Sequence, residues 1–388
     1  MTRLPSTNLD ADALHDKAAQ ATGYGDFGDS DYLEGLECLL EAAEESAVRL
    51  GPPLRGAAHE LALATLVGRL HSEAGWRARP GCLTTPLDAP VVITGIPRTG
   101  TTALHHLLAQ DDQFQLLPQW ITANPMVRPP RAEWAANATY QAAAAQRRAR
   151  GAEVPEIREI HWIEAEEPEE CILVTSQSFV TNMFPSILPI PRYEEWFLVQ
   201  DEAASYRRYA DNLRLIGANE PSKTWLLKNP SHVLAMESFL AVFPDARVIQ
   251  THRDPTVSIP SVCSLINTGR RRWGFPVDPH QIGERELHIW SVAIERMEAC
   301  RVAHPDSFHD VDQIALARQP MNVVHQIYER FGLELRPDTE AAMARWLDHD
   351  RHRAAGRTNR AEDYGLTSAQ IRRTFGTYVN RFREERHD

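Results

Sequence analysis

Residues 91–102 read VVITGIPRTGTT, and this stretch determines the fold that the sequence predicts. Its first four residues are apolar or β-branched, which is typical of a short strand buried in a parallel sheet. The residues from Gly95 to Gly100 form a loop with a glycine at each end, and a helix is predicted from Thr101 to Gln110. A strand, a loop and a helix in this order can hold a phosphate group on backbone N–H groups.

Two later segments repeat the pattern of a strand followed by a helix. Residues 224–228 (TWLLK) predict a second strand, with a helix from Ser231 to Phe243. Residues 247–251 (RVIQT) predict a third strand, with a helix from about Pro255. This alternation predicts an α/β fold, in which a P-loop-like parallel β-sheet is flanked by helices.

The first 88 residues are predicted to form a helical extension, and residues 89–388 to form the α/β domain. Apolar residues recur at helical spacing in residues 31–50 and 56–78. The segment Gly23–Gly28 has the letters G-x-G-x-x-G, but no strand precedes it, so it predicts a turn. Residues 184–196 predict a loop over a pocket or a rigid connection. Further helices are predicted at residues 132–150, 281–303, 320–331, 339–348 and 367–383.

Composition and charge narrow the function classes. The chain has 388 residues and a net charge of −12, so it lacks the basic footprint of a nucleic-acid binder, although a local arginine cluster can still form a positive pocket. Five scattered cysteines without a C-x-x-C pair argue against a disulfide framework and a zinc site. The N-terminus does not have the pattern of a signal peptide, and no stretch is apolar enough to span a membrane. We therefore expect a cytoplasmic enzyme.

The charge of the first loop differs from that of ordinary P-loops. In a nucleotide hydrolase a lysine follows the second glycine and contacts the β- and γ-phosphates, whereas Thr101 follows Gly100 here. The loop carries its cation earlier, at Arg98, beside the terminal group of a bound nucleotide. A nucleotide kinase or NTPase therefore remains only an alternative interpretation.

The segment Pro97-Arg98-Thr99-Gly100-Thr101-Thr102 resembles the 5'-phosphosulfate loop of sulfotransferases that use 3'-phosphoadenosine 5'-phosphosulfate (PAPS). The arginine form resembles the tyrosylprotein and larger bacterial branches of that family. The resemblance implies that PAPS is the co-substrate and that Arg98 and the residues Thr99, Gly100, Thr101 and Thr102 hold its 5'-phosphosulfate group.

Two further matches extend the resemblance. Arg253 ends the third predicted strand, and Ser261 lies eight residues later on the following helix. In the family an arginine and a serine at this spacing bind the 3'-phosphate, and Ser258 is a weaker candidate for the serine. Lys228 ends the second predicted strand and resembles the family's lysine at the leaving oxygen. The resemblance thus assigns catalytic charge to Arg98 and Lys228.

The general base is less clearly indicated. Many members with an arginine loop have a glutamate about twenty residues downstream, but residues 117–122 contain no carboxylate. His232 stands where cytosolic members have a catalytic histidine, so it is the chosen candidate, although packing against the helix start explains it nearly as well. His161 and Glu170 are the other candidates. The acidic run 164–170 itself reads as a solvated helix face.

The acceptor is expected to be a small-molecule alcohol. It is expected to be hydrophobic or lipid-like if the aromatic residues of 172–197 line a pocket, but these residues could equally belong to the core. These residues are Phe179, Phe184, Tyr193, Trp196 and Phe197. No metal is expected, because the reaction leaves no γ-phosphate to chelate and the sequence shows no ligand cluster. A non-catalytic nucleotide-binding protein is the other alternative.

Overall fold

The computed structural model describes residues 11–153, 163–350 and 359–384. In these residues five strands form one parallel sheet in the order β2-β3-β1-β4-β5. The strands are β1 (Val91–Thr94), β2 (Phe114–Gln115), β3 (Thr224–Lys228), β4 (Arg247–His252) and β5 (Phe308–Asp312). The predicted α/β class and the three predicted strands are confirmed, and β2 and β5 are added at the two edges.

The central strand β1 shows how the sheet separates two apolar layers. Val91 and Ile93 point into a core formed with the helices after β1 and after β5, whereas Val92 points into the larger core on the other face. Because side chains alternate along a strand, an entirely apolar strand must be covered on both faces. Helices therefore flank the sheet on both sides, as the alternation predicts.

The helices account for most of the remaining chain. Those before β3 are Ala11–Thr22, Leu33–Leu50, Pro52–Ala78, Thr101–Leu108, Gln119–Thr122, Ala138–Glu153, Ile172–Thr175, Met183–Ile187, Pro191–Phe197 and Ala203–Ile216. Those after β3 are Met236–Val242, Pro255–Arg272, Pro279–Ala303, Gln313–Arg318, Pro320–Phe331, Pro337–Asp350, Ser368–Thr374 and Gly376–Glu384. None of these helices has the length and apolar character needed to cross a membrane.

Several boundaries differ from the sequence prediction for local reasons. The helix predicted from residue 56 begins earlier, at Pro52. Proline suits the first turn of a helix, so the prolines that lie between the two predicted helices belong to the start of the second one. The helix predicted after β3 is split into a 3₁₀ helix, Pro230–Leu234, and a short α-helix. The predicted loop 184–196 contains two short helices. The acidic run 164–170 is a turn with an extended end, so its interpretation as a helix face is wrong.

The N-terminal helices pack directly on the α/β part of the chain. Leu36 and Leu66 of these helices belong to the same buried cluster as Val92 of β1. The boundary predicted at residue 88 stays a prediction, and the two parts share one apolar core.

Arg69 ties the N-terminal turn to this core. Its side chain is completely buried and donates to the carbonyl oxygens of Phe27, Asp29 and Gln177 at 2.6, 2.6 and 3.1 Å. It also donates to the Asp31 carboxylate at 3.0 Å. One cation therefore fixes the segment that the sequence predicts as a turn.

Replacing Arg69 with methionine should lower the free energy of unfolding by about 3 kcal/mol or more, because buried acceptors lose their donor. Urea denaturation measures this loss. The matched control is Arg77→Met, because Arg77 pairs with Asp26 at the same turn while about half of each side chain is exposed. That control should cost at most about 1 kcal/mol. Equal losses in the two variants would contradict a special role for Arg69.

Candidate active site

The predicted site residues converge at the carboxyl ends of three adjacent strands. The loop after β1, Lys228 at the end of β3 and Arg253 after β4 all lie at this edge of the sheet. Ligands of open parallel sheets bind at this edge, where the helices that follow begin. The parallel register therefore brings together Arg98 and Arg253, which are 155 positions apart in the sequence.

The loop between β1 and its helix needs glycine at both ends. Gly95 has φ 145° and Gly100 has φ 95°, which are backbone conformations that side chains disfavour. A Cβ atom on Gly95 would lie 2.5 Å from the carbonyl oxygen of Thr251 in β4. Arg98 also has a positive φ, 72°, which a residue other than glycine adopts at an energetic cost.

A hydroxyl pair joins this loop to β4. Thr99 Oγ1 lies 2.6 Å from Thr251 Oγ1 and 2.7 Å from the carbonyl oxygen of Ile96, and both threonines are buried. The Thr99 hydroxyl is thus directed into the protein, which differs from its expected contact with a phosphate. Its backbone N–H, with those of Gly100, Thr101 and Thr102, stands at the start of the helix Thr101–Leu108.

Two arginines and a serine form a positively charged group beside the loop. Arg98 Nε donates to Ser261 Oγ at 3.2 Å, and Arg253 Nη1 donates to the carbonyl oxygen of Arg98 at 3.0 Å. Partial burial and the charge of Arg253 lower the pKa of Arg98. Neither guanidinium has an ion-pair partner in the part of the chain that the structure describes. Two neighbouring cations with a hydroxyl beside one of them are suited to a phosphate monoester.

The structure separates the two candidate serines of the following helix. Ser258 is completely buried, and its hydroxyl donates back to the carbonyl oxygen of Asp254 at 3.4 Å. Ser261 is partly exposed and contacts Arg98. Only Ser261 therefore belongs to the arginine group.

Lys228 forms a second polar group with Thr102 and Glu170. Its side chain is completely buried, and Nζ lies 2.6 Å from Glu170 Oε1 and 3.4 Å from Thr102 Oγ1. The Glu170 side chain remains 21% exposed, so one partner of this ion pair can be reached from solvent. The loop, the lysine and a carboxylate are thereby brought into direct contact.

Backbone pairing places Glu170 beside Lys228. The N–H of Cys171 donates to the carbonyl oxygen of Lys228 at 3.0 Å, and the N–H of Glu169 donates to that of Leu117 at 2.9 Å. The acidic turn is therefore held between β3 and the segment that follows β2. Sequence spacing carries no signal for this contact, because 58 residues separate Glu170 from Lys228.

The structure places His232 in an aromatic cluster. Its side chain is completely buried, its Nδ1 shares a hydrogen bond of 2.9 Å with the Tyr206 hydroxyl, and the rings of Tyr206 and Phe239 lie against it. Burial lowers the pKa of His232 to about 3. These contacts agree with the packing interpretation of His232 and do not bring it to Lys228. His161 lies outside the described residues.

The aromatic residues proposed as an acceptor pocket belong to the core. Phe179, Phe184, Tyr193 and Phe197 are at most 2% exposed, and the first two stack with ring centroids 5.5 Å apart. Trp196 packs at the edge of the same cluster. These side chains support the N-terminal helices, and they form no open wall.

Comparison with known proteins agrees with this geometry. A model described as the sulfotransferase family matches residues 90–338, so the chain belongs to the sulfotransferase family. It is an enzyme of that class, and the class predicted from the loop is confirmed over the nucleotide kinase and non-catalytic alternatives.

Solved structures and a curated relative extend the similarity beyond the α/β part. Sulfotransferase STF1 from Mycobacterium tuberculosis H37Rv is 35% identical, with a TM-score of 0.87 over 95% of this chain and 98% of that one. Sulfotransferase STF9 from Mycobacterium avium is 27% identical, with a TM-score of 0.88 over 98% of both chains. The omega-hydroxy-beta-dihydromenaquinone-9 sulfotransferase Stf3 of Mycobacterium tuberculosis is 25% identical over 316 residues, which are 77% of this chain and 76% of Stf3.

The burial of His232 predicts a measurable pH dependence of stability. Because its folded pKa is about 3, the unfolded chain takes up a proton below about pH 6.5 that the folded chain does not. The free energy of unfolding should therefore fall as the pH falls, by up to about 1.4 kcal/mol per pH unit from this residue. Urea denaturation of wild type and His232→Phe between pH 7.5 and 4.5 should show a smaller pH slope in the variant.

The matched control is His288→Gln, because His288 is exposed on the helix Pro279–Ala303. This variant should keep the slope of the wild type. Identical slopes in wild type and His232→Phe would contradict a neutral, buried His232.

Proposed function

We propose that this cytoplasmic enzyme transfers the sulfuryl group of PAPS to the hydroxyl of a lipid-like alcohol. The observation that carries the proposal is the meeting of two polar groups at one sheet edge. One group consists of Arg98, Arg253 and Ser261, and the other consists of Lys228, Thr102 and Glu170. The first is suited to the 3'-phosphate of the donor, and the second is suited to the reacting end.

Backbone geometry supports the assignment of the donor's 5'-phosphosulfate to the loop. The loop N–H groups lie at the start of the helix Thr101–Leu108, where partial positive charge favours an anion. Lys228 contacts Thr102 of the same helix start, so its ammonium lies beside the place where the 5'-group would be held. Arg98 belongs to the loop and to the arginine group, so it can stabilise charge at either phosphate.

The proposed reaction needs fixed charge more than covalent chemistry. The acceptor oxygen forms a bond to sulfur while the bond from sulfur to the 5'-phosphate oxygen breaks, and negative charge grows on the departing phosphate. Lys228 and Arg98 would stabilise that charge, as fixed cations do in the closely related transfer of phosphoryl groups. The adenosine 3',5'-bisphosphate then leaves with both electrons of the broken bond.

Glu170 is the proposed acceptor of the hydroxyl proton. It is a carboxylate with an exposed fraction of 21%, and it lies within hydrogen-bond distance of the proposed leaving-group cation. The sequence favours His232, but Tyr206 and Phe239 pack against its completely buried ring, and its Nδ1 is bonded to the Tyr206 hydroxyl. A base has to reach the proton that it removes, so geometry favours Glu170.

The acceptor class and the location are supported by two separate observations. The name of the relative Stf3 describes a hydroxylated dihydromenaquinone, which is a lipid-like alcohol. All five cysteines are unpaired in this structure, as is common where thiols are kept reduced. The cytoplasm is such a compartment.

The 3'-phosphate assignment predicts a selective effect of Ser261→Ala. This variant should bind adenosine 3',5'-bisphosphate about 10- to 100-fold more weakly, because a hydrogen bond to a charged phosphate is lost. Binding of adenosine 5'-monophosphate, which lacks the 3'-phosphate, should change little. Calorimetric titration with and without Mg²⁺ measures both ligands, and Arg253→Ala should show a larger loss of the same kind.

The control for Ser261 is Ser258→Ala on the same helix, since the Ser258 hydroxyl is turned into the protein. It should bind both nucleotides as the wild type does. If Ser258→Ala and Ser261→Ala lost affinity equally, or if both nucleotides were weakened alike, the assignment of Ser261 would be wrong.

The base assignment predicts that Glu170→Gln lowers kcat by about 10²- to 10⁴-fold, the usual contribution of a general base. Affinity for adenosine 3',5'-bisphosphate should remain close to that of the wild type, because the amide oxygen can still accept from Lys228. Transfer of radiolabelled sulfuryl from PAPS to a polyisoprenyl alcohol and to a hydroxyl-terminated menaquinol analogue measures kcat, with a sugar as the polar comparison.

Glu164→Gln is the matched control, because Glu164 begins the same acidic turn and its side chain is exposed. Its kcat should equal that of the wild type. An unchanged kcat in Glu170→Gln would exclude Glu170 as the base, and sugar as the preferred acceptor would exclude the lipid-like class.

A further inference from the structure

Three side chains of types that bind metals lie close together, away from the loop between β1 and its helix. Glu237 lies in the first turn of the helix Met236–Val242, Cys300 lies in the last turn of the helix Pro279–Ala303, and His304 follows that helix. One ligand atom of each residue lies within 4.8 Å of the other two. The two helices also pack against each other. The sequence alone does not reveal this group, because its members come from two separate helices.

We propose that Glu237, Cys300 and His304 bind one zinc-class divalent cation at the junction of these two helices. A carboxylate oxygen, a thiolate sulfur and an imidazole nitrogen are the three ligand types that zinc takes in proteins. Water would complete a four-coordinate site on the solvent side. As the bond between metal and sulfur forms, the thiol proton passes to solvent.

Spacing supports this set of ligands. Cys300 and His304 are four residues apart, and the N–H of His304 donates to the carbonyl oxygen of Cys300 at 3.0 Å, so the last helical turn presents both side chains together. His304 Nε2 lies 3.5 Å from Glu237 Oε1. Two ligands bound at about 2.0–2.1 Å in a tetrahedral site are about 3.3 Å apart. The observed pair is therefore close to the distance that coordination requires.

The three side chains differ in exposure, and this difference is suited to metal binding by one fixed ligand and two movable ones. Cys300 is 3% exposed and is held in the helix, whereas the side chains of Glu237 and His304 are 71% and 37% exposed. The sulfur has a fixed position, and the two exposed ligands can turn onto an ion next to it. A sulfur ligand disfavours Mg²⁺ and Ca²⁺, which prefer oxygen, and favours zinc and similar ions.

A bound ion would fasten the helix end that supports β4. Arg301, the neighbour of Cys300, donates to the Asp310 carboxylate of β5, and Asp310 lies 2.6 Å from His252 Nε2 at the end of β4. The site therefore joins Met236–Val242 to the part of the fold next to Arg253. It rests on none of the residues assigned to the donor or the acceptor, so it stands independently of the proposed function.

Cobalt titration of the full, reduced and metal-stripped chain tests the site, because Co²⁺ reports thiolate ligands and tetrahedral geometry in its absorption spectrum. One equivalent of Co²⁺ should give a sulfur-to-cobalt charge-transfer band and intense visible bands, and Zn²⁺ should abolish both. Cys300→Ser should lose the charge-transfer band, and His304→Ala and Glu237→Gln should each weaken binding by roughly 100-fold.

Cys82→Ser is the matched control, because Cys82 is another buried cysteine, in the 3₁₀ helix Pro80–Thr84. It should bind cobalt as the wild type does. A spectrum without thiolate bands, or one that Cys300→Ser leaves unchanged, would overturn the site. If Cys300→Ser failed to fold, the two variants at exposed positions, Glu237→Gln and His304→Ala, would test the site. Unchanged Co²⁺ affinity in both variants would overturn the proposed site.

Discussion

The complete burial of the Lys228 ammonium constrains the whole edge of the sheet at which it lies. A cation removed from water at the end of β3 costs several kcal/mol unless the fold supplies a counter-charge and hydrogen-bond partners. Glu170 supplies the counter-charge, and Thr102 supplies a hydroxyl. The acidic turn and the loop after β1 therefore have to converge on β3. The same convergence brings a cation, a carboxylate and a helix start together, and the proposed sulfuryl transfer would use all three.

The sequence predicted the inner strands of the sheet but missed its edges. β1 consists of apolar and β-branched residues, and β3 and β4 each contain a shorter apolar run (Trp225 to Leu227, and Val248 with Ile249), because both faces of these strands are covered. β5 reads FHDVD, and two of its residues at most point to the core, so its pairing depends on β4 and is not visible in its own pattern. The two-residue β2 is too short to carry any period.

Candidate site residues could be predicted from the sequence where they lie in one element or in a motif of fixed spacing. The loop residues and the pair Arg253 and Ser261 lie in motifs of fixed spacing that resemble those of the family, and the structure brings Ser261 to Arg98. Glu170 could be only one candidate among three, because its position depends on the pairing of Cys171 with Lys228 across the fold. The sequence could not show what surrounds His232, since its aromatic neighbours come from a helix 26 residues earlier and one that follows it.

The arginine group carries an energetic cost that the neighbouring contacts offset. Arg98 combines a positive φ with a pKa lowered by burial and by the charge of Arg253, so both strain and charge repulsion act on this loop. Two contacts hold the loop against β4 despite this strain and repulsion. One is the hydrogen bond from Arg253 to the Arg98 carbonyl oxygen, and the other is the hydroxyl pair of Thr99 and Thr251. A bound anion would remove the repulsion and would therefore stabilise the fold as it binds. The contacts with β4 thus keep two neighbouring cations at the loop, which is the arrangement that the proposed donor site requires.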